Sequence, residues 1–378
     1  MQVQRKRVLL FMLVAVLLSG GCRPSGEPEK TPESTAFTYV KTGMLGLPDL
    51  PVPGDNPQTP EKIALGRELY SDARFSSDGT VSCATCHNPA TAFVDRLRVS
   101  KGVKGLTGTR NAPTVLNSAF LKAQFWDGRR PDLESQAKDP LLNPVEHGLS
   151  DHEQLLKIVR ADQKYTSQFE TVFQVKAEQI TIDHVVKAIA AFERTIISGD
   201  SPFDRYLFGK DEKAMSPAAI RGFAVYTGKG RCQECHMIGE TSATFTDDKF
   251  HNLGVGFALV QPKLQQILEA RAKGQAEASD EKILTDRETS ELGRFAITGL
   301  QEDLGAFKTP TLRNIALTAP YMHDGSLATL QQVIDLYDRG GEANPFLASG
   351  IRPLGLTPQE KSDLIEFMKA LTSPDLPK

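Results

Sequence analysis

The sequence predicts a mainly α-helical protein built as two tandem halves. Three observations carry that expectation: two identical Cys-x-x-Cys-His frames, at Cys83–His87 and Cys232–His236; a helix-like stretch leading into and closing each half; and strand-like alternation that is sparse and short. A length of 378 residues suits two domains of about 100–200 residues each. Hydrophobic residues make up 40 % and charged residues 24 %, a globular balance that excludes collagen-like, coiled-coil and wholly disordered chains. The 44 Lys and Arg against 47 Asp and Glu leave a net charge of −3, so the chain lacks the basic footprint of a nucleic-acid binder.

At the N-terminus, Arg5-Lys6-Arg7 precedes the apolar run Val8–Leu18, the pattern of an export signal, and this run is shorter than the about 20 residues a membrane-spanning helix needs. It ends in Ser19-Gly20-Gly21-Cys22, which resembles a bacterial lipoprotein processing site, with Ser19 where Leu is usual. Residues 1–21 therefore read as a lipoprotein-type signal peptide and Cys22 as the lipidated residue. The alternative is ordinary cleavage nearby, leaving Cys22 as a lone thiol. Loss of residues 1–21 would take the net charge to −6. Residues 22–58, rich in Pro, Glu, Ser, Thr and Gly, read as a flexible tether.

Thr59-Pro60-Glu61 opens a helix running to Tyr70, with Thr as N-cap and Pro at the first helical position. Ser216-Pro217 opens the matching helix before the second frame. The closing helices are Ile182–Ile196, with Ile182, Val185, Val186, Ile189 and Ile196 on one stripe, and Thr357–Leu371, opened by the capping box Thr357–Glu360. The frames lie 149 residues apart, whereas Phe192 and Phe367 of the closing helices lie 175 apart. The second half thus holds about 26 extra residues, assigned to a charged, solvated insertion at 258–291. The domain boundaries follow: 59–203 and 204–378.

Each Cys-x-x-Cys-His frame is the c-type haem attachment signature. Two thiols three residues apart on a helical turn can add to the two vinyl groups of one porphyrin, and the adjacent imidazole reaches the iron. A disulfide pair or a zinc site would leave the His after both pairs unexplained. Cys83, Cys86 and His87 thus hold one haem, and Cys232, Cys235 and His236 the second. Helix, haem frame, ligand-bearing loop and closing helix make the layout of a cytochrome c-like domain, twice over.

Between these frames lie Leu65-Gly66, Arg110-Asn111-Ala112-Pro113-Thr114, Gln124-Phe125-Trp126-Asp127-Gly128-Arg129, Pro144-Val145-Glu146, His251-Asn252-Leu253-Gly254-Val255, Lys308-Thr309-Pro310-Thr311-Leu312-Arg313-Asn314 and Pro320-Tyr321-Met322-His323-Asp324-Gly325. With them the chain resembles the bacterial di-haem cytochrome c peroxidase family, in the group that includes MauG. The resemblance implies an N-terminal haem that binds peroxide and a C-terminal haem that passes electrons to it. It implies Glu146 as the distal acid/base, Gln136 as a distal pocket amide, and Trp126 as an indole relay between the haems. It also implies a calcium ion held by Asn111 and the carbonyls of Thr318 and Pro320. Taken alone, these residues read as a surface carboxylate, a helix-face amide, a core indole and turn residues. His147, His152, His184 and His251 read as packing or surface histidines.

Two departures bear on mechanism. Many members of the family close the peroxidatic haem with a His in the loop before the Arg-Asn-Ala-Pro segment, and here Val99–Gly108 contains none, so the resting haem is expected to be open. The second haem's usual distal Met, fourteen residues after the His of the His-Asp-Gly motif, is replaced by Tyr337, a hard anionic donor that favours ferric and higher-valent iron. Three functions are in play: a peroxidase fed by a small periplasmic cytochrome c or cupredoxin; a MauG-like enzyme that uses a peroxide-derived high-valent di-haem state to oxidise residues of a partner protein; and a non-catalytic multihaem electron carrier. Glu146 weighs against the last. A periplasmic location, attachment to a membrane through a lipid anchor alone, and a homodimer complete the expectations.

Overall fold

The computed structural model describes residues 36–274 and 279–377. The signal peptide, Cys22 and the first part of the expected tether lie outside the described residues. The chain is mainly helical, as the sequence predicts: the only sheets among the described residues are two short antiparallel strand pairs.

Strands β1 (Phe37–Val40) and β2 (Leu50–Pro53) pair antiparallel. Leu47, Leu50 and Val52 are buried, and the Gly46 carbonyl accepts a 2.6 Å bond from Arg313 Nη2. Residues 36–58, read as the end of a tether, are therefore a structured strap. Gly and Pro set the composition of that stretch, while three apolar side chains do the anchoring.

The first half contains α1 (Pro60–Ser71), α2 (Cys83–Cys86), α3 (Leu133–Gln136), α4 (Asp139–Leu142), α5 (His152–Ala161), α6 (Gln163–Phe173) and α7 (Ile182–Glu193). Thr59 caps α1 by accepting from Lys62 N, with Pro60 in the first turn. The second half begins with α8 (Pro202–Leu207) and α9 (Pro217–Thr227), followed by α10 (Phe257–Val260), α11 (Leu264–Ala272), α12 (Asp280–Thr285), α13 (Arg287–Ser290), α14 (Phe295–Thr298), α15 (Leu330–Asp338) and α16 (Pro358–Lys369). Strands β3 (Phe250–His251) and β4 (Phe307–Lys308) pair antiparallel.

Each half has its own core. Leu65, Leu69, Phe93, Phe169, Val185 and Ile189 belong to the first, and Phe203, Tyr226, Phe245, Ile334, Leu364 and Phe367 to the second. Both are organised by one device, an opening helix crossing a closing helix at a glycine. A Cβ on Gly66 of α1 would stand 1.9 Å from the Ala188 carbonyl oxygen of α7, and one on Gly222 of α9 would stand 1.9 Å from that of Asp363 on α16. One turn on, Tyr70 meets Phe192 edge-on at 5.2 Å and Tyr226 meets Phe367 at 4.9 Å. The two tyrosine hydroxyls then donate to the carbonyls of His87 and His236. The helix crossing thereby fixes the histidine of each frame.

The segment expected as a solvated insertion is different. Phe257, Val260, Phe295 and Leu304 form a third small core, and Ile283, Ser290 and Glu291 are buried. Its charged faces dominate the composition, but its ends pack inward.

A second repeat joins the halves. Gly108–Arg130 and Gly305–Leu327 superpose in sequence with a shift of 197 residues, sharing Pro113/Pro310, Thr114/Thr311, Asn117/Asn314, Asp127/Asp324 and Gly128/Gly325. Their hydrogen bonds are exchanged: Asn111 N donates to His323 O and Lys308 N to Trp126 O, both at 2.8 Å. Asn117 and Asn314 occupy the left-handed region at φ 64° and 59°. Their side chains accept from Ser198 N and Ser373 N, and the two serine hydroxyls meet at 2.6 Å.

Replacing Gly222 by Ala should destabilise the haem-loaded protein by about 1–3 kcal/mol, because the added methyl meets a backbone carbonyl that cannot swing away. Denaturant unfolding measures this; a gain in stability, as Ala gives in an open helix, would contradict the close crossing.

Candidate active site

The second frame lines a cavity of about 450 Å³, within the range of cofactor pockets. Cys232, Cys235, His236, Met322, His323, Tyr337 and Met368 line it. His236 is buried, and its Nδ1 lies 2.9 Å from Phe245 O. A carbonyl only accepts, so Nδ1 carries the proton and Nε2 presents its lone pair. Burial holds this imidazole below its usual pKa, which keeps it neutral. Tyr337, near the end of α15, faces the cavity. Burial and the thiols of Cys232 and Cys235 push its hydroxyl up, so only a strong Lewis acid would convert it to phenolate.

The first frame repeats the arrangement. Cys83 and Cys86 bracket α2, and His87 Nδ1 lies 3.3 Å from Phe93 O, again leaving Nε2 free. Burial lowers this imidazole's pKa as well. All four frame cysteines carry free thiols, and burial pushes Cys86 and Cys232 up to about 12 and Cys235 to about 11. Neutral imidazoles backed by carbonyls and two unpaired thiols per frame fit a covalently attached haem at each.

Glu146 sits in the turn after α4. Asn143 Nδ2 donates to its Oε1 at 2.5 Å, and its carbonyl accepts from Val103 N of the Val99–Gly108 loop at 3.0 Å. Gly102 is required there, since a Cβ would stand 1.9 Å from Val145 O. Burial raises the Glu146 carboxyl, against a pull downward from the Arg129 guanidinium. Its charge reaches both Cys83 and Cys86. Gln136 ends α3 and is half-buried.

Trp126 lines the cavity and its Nε1 donates to Asn111 O at 2.9 Å. Asn111, Thr318 and Pro320 line the same cavity. Asn111 Nδ2 donates to Leu97 O at 2.9 Å, which leaves Oδ1 as the end able to meet a hard cation. His147, His152 and His184 bond to Phe75 O, Lys138 O and Thr181 respectively, consistent with packing and capping. His251 pairs with Asp247 at 2.8 Å and borders the cavity.

A family model described as di-haem cytochrome c peroxidase matches residues 60–212. The methylamine utilization protein MauG of Methylorubrum extorquens is 37 % identical over 337 residues, covering 87 % of this chain and 85 % of that one. The cytochrome-c peroxidase IdrP1 of Denitromonas iodatirespirans is 38 % identical over 350 residues, covering 90 % of each. The chain belongs to the di-haem cytochrome c peroxidase family. It is accordingly a peroxidase-type oxidoreductase, and the family implies two c-type haems. Among solved structures, a MauG-like protein associated with microbial copper homeostasis matches with a TM-score of 0.71 and 35 % identity, covering 87 % of this chain and 94 % of that one.

Lys308 and Glu291 escaped the sequence reading, which placed His323 in the haem surroundings without a role. Lys308 is buried on the cavity wall, and burial pulls it down to about 8. His323 is stacked on Phe307 at 3.5 Å, with Nε2 donating to Glu291 at 2.6 Å. Glu291 comes from the far end of the supposed insertion, so no local pattern could pair it with His323. The 197-residue repeat was the available signal.

Replacing both Cys232 and Cys235 by Ser should leave one covalent haem per chain, read as a halved pyridine haemochrome after denaturation. Retention of two would remove the second frame as an attachment site.

Proposed function

We propose that the protein reduces hydrogen peroxide to water at an open haem held by Cys83, Cys86 and His87, using electrons passed from a haem held by Cys232, Cys235 and His236. The observation that carries this reading is Glu146, a carboxyl with raised pKa whose field reaches the first frame, beside a loop without histidine. When bound, the haems supply the redox chemistry of O–O cleavage.

The chain's own residues handle protons and position. The Glu146 carboxylate accepts a proton from one peroxide oxygen and delivers it to the other, so the departing oxygen leaves as water. Asn143 fixes Oε1 and leaves Oε2 for the proton. Gln136 supplies an amide to the same pocket. Trp126, the single indole, is tied to Asn111 at the joint of the halves and relays the electron. Calcium held by Asn111 and the carbonyls of Thr318 and Pro320 would stiffen that joint.

A second reading, oxidation of residues in a partner protein, is favoured by Tyr337. From the cavity wall its phenolate would be able to hold the second haem's iron, and such a donor would disfavour reduced iron. Among the described residues no helix is long and apolar enough to cross a membrane. The Arg5–Cys22 pattern supports export to the periplasm with a lipid anchor at Cys22. The electron donor is a small periplasmic cytochrome c or cupredoxin.

Glu146→Gln should slow reaction with peroxide by about 10²–10⁴-fold in stopped-flow absorption; an unchanged rate would reduce Glu146 to a structural role. Ferric EPR should show one high-spin and one low-spin haem, and two low-spin signals would contradict the open site. Tyr337→Met should raise the second haem's potential in a redox titration; no change would remove Tyr337 as ligand.

A further inference from the structure

Lys308 carries an amine that the fold buries and leaves unmatched. It lies in β4 opposite Phe250 of β3, and its backbone N–H donates to the Trp126 carbonyl at 2.8 Å, so both halves hold the backbone from which the side chain springs. The residue is 6 % exposed and lines the cavity of the second frame. Among the described residues its Nζ has no hydrogen-bond or ion-pair partner. Lysines are almost never fully buried unless paired, because an ammonium taken out of water without a counter-charge is costly.

The cavity wall has no acid to spare for it. The carboxylates on that wall are Glu234 and Asp247. Glu234 is paired with Arg231 at 2.7 Å and Asp247 with His251 at 2.8 Å. Glu291 is taken by His323, accepting from its Nε2 at 2.6 Å. Asp248 acts on Lys308 through its charge but makes no ion pair with it, and its Oδ1 accepts from Lys122 N at 3.2 Å. Burial accordingly pulls the Lys308 amine down to about 8. Lys249 and Arg352 also border the cavity, but both are exposed. In the repeat, the residue equivalent to Lys308 is Asn111, so the amine belongs to the second half alone.

We propose that Lys308 seats a propionate of the haem held at the second frame: its ammonium bonds to one carboxylate of the porphyrin, which orients the haem and keeps its iron reducible. A c-type haem brings two such carboxylates, on the edge away from its thioether links, and they are the anions the wall lacks. A fixed positive charge beside the porphyrin favours the added electron, so Lys308 works against the phenolate of Tyr337, which would disfavour it. The proposal rests on haem attachment at Cys232 and Cys235, which the haemochrome count of the Cys→Ser variant tests by itself.

The test is an EPR-monitored redox titration of the haem-loaded protein, with resonance Raman spectroscopy as a second readout free of turnover. Lys308→Met removes the charge at similar side-chain length. It should lower the second haem's potential, cutting the reduced-to-oxidised ratio at a fixed poise by about tenfold, which is about 59 mV for one electron. The propionate bending band should move in the same variant, because the bond to the carboxylate is gone. Lys308→Arg keeps the charge and the donors and should hold both readouts near their native values. An unchanged potential, a fall confined to the first haem, or a fall without movement of the propionate band overturns the contact. An equal fall in Lys308→Arg overturns it as well, since packing alone would then explain the shift. Should Lys308→Met fail to take up haem, Lys308→Gln removes the charge while keeping a donor and should lower the potential by the same amount; no fall there overturns the proposal.

Discussion

The exchanged pair of peptide hydrogen bonds at the joint of the halves is the constraint on which the rest depends. Asn111 donates to His323 and Lys308 to Trp126, so each half supplies the acceptor for the other. Neither bond can shift without moving the other, because the two segments share one turn geometry, including Phe125 and Met322 at φ 65° and 73°. A net of about 1 kcal/mol per bond is modest. Their value lies in register: they lock the two repeated segments to each other, and both Trp126 and His323 then line the cavity of the second frame.

Around this joint the protein buries charge on a scale that only pairing permits. Asp204 and Arg313 are both almost wholly inaccessible, joined at 2.8 and 2.9 Å, and the arginine also binds the carbonyls of Ala243 and Gly46. Removing one partner of such a pair costs about 3–5 kcal/mol, mostly as a stranded charge. The strap of residues 36–58 is thereby held to the second half by a guanidinium whose three nitrogens are all hydrogen-bonded. Asp127 follows the same rule, paired with Arg110 and Arg129.

What the sequence made legible was short-range chemistry. The two haem frames, the N-caps Thr59, Ser216 and Thr357, and the closing helices from Ile182 and Pro358 all depend on residues within a turn or two of each other. The closing helices end at Glu193 and Lys369, a little before the expected Ile196 and Leu371, because Thr195, Ile196 and Thr372 turn inward on local carbonyls. Composition misled where packing is made by few residues, as in the strap anchored by Leu47, Leu50 and Val52 and the buried ends of 258–291. Asp127 was legible as part of a motif, but its two arginines declare themselves only in three dimensions.

The same backbone used twice with different side chains explains how one chain can carry two unlike centres. Trp126 corresponds to His323 and Asn111 to Lys308 in the repeat, and Arg110 lies 5.5 Å over the ring of its equivalent Phe307. Each pair differs in chemistry: an indole against an imidazole, an amide against a buried amine, a cation against a ring that can receive it. Backbone symmetry secures the geometry, so divergence is free to act on chemistry alone. That is why the first half can bury the Glu146 carboxyl while the second presents the Tyr337 phenol to its cavity, without either half giving up the helix crossing that fixes its histidine.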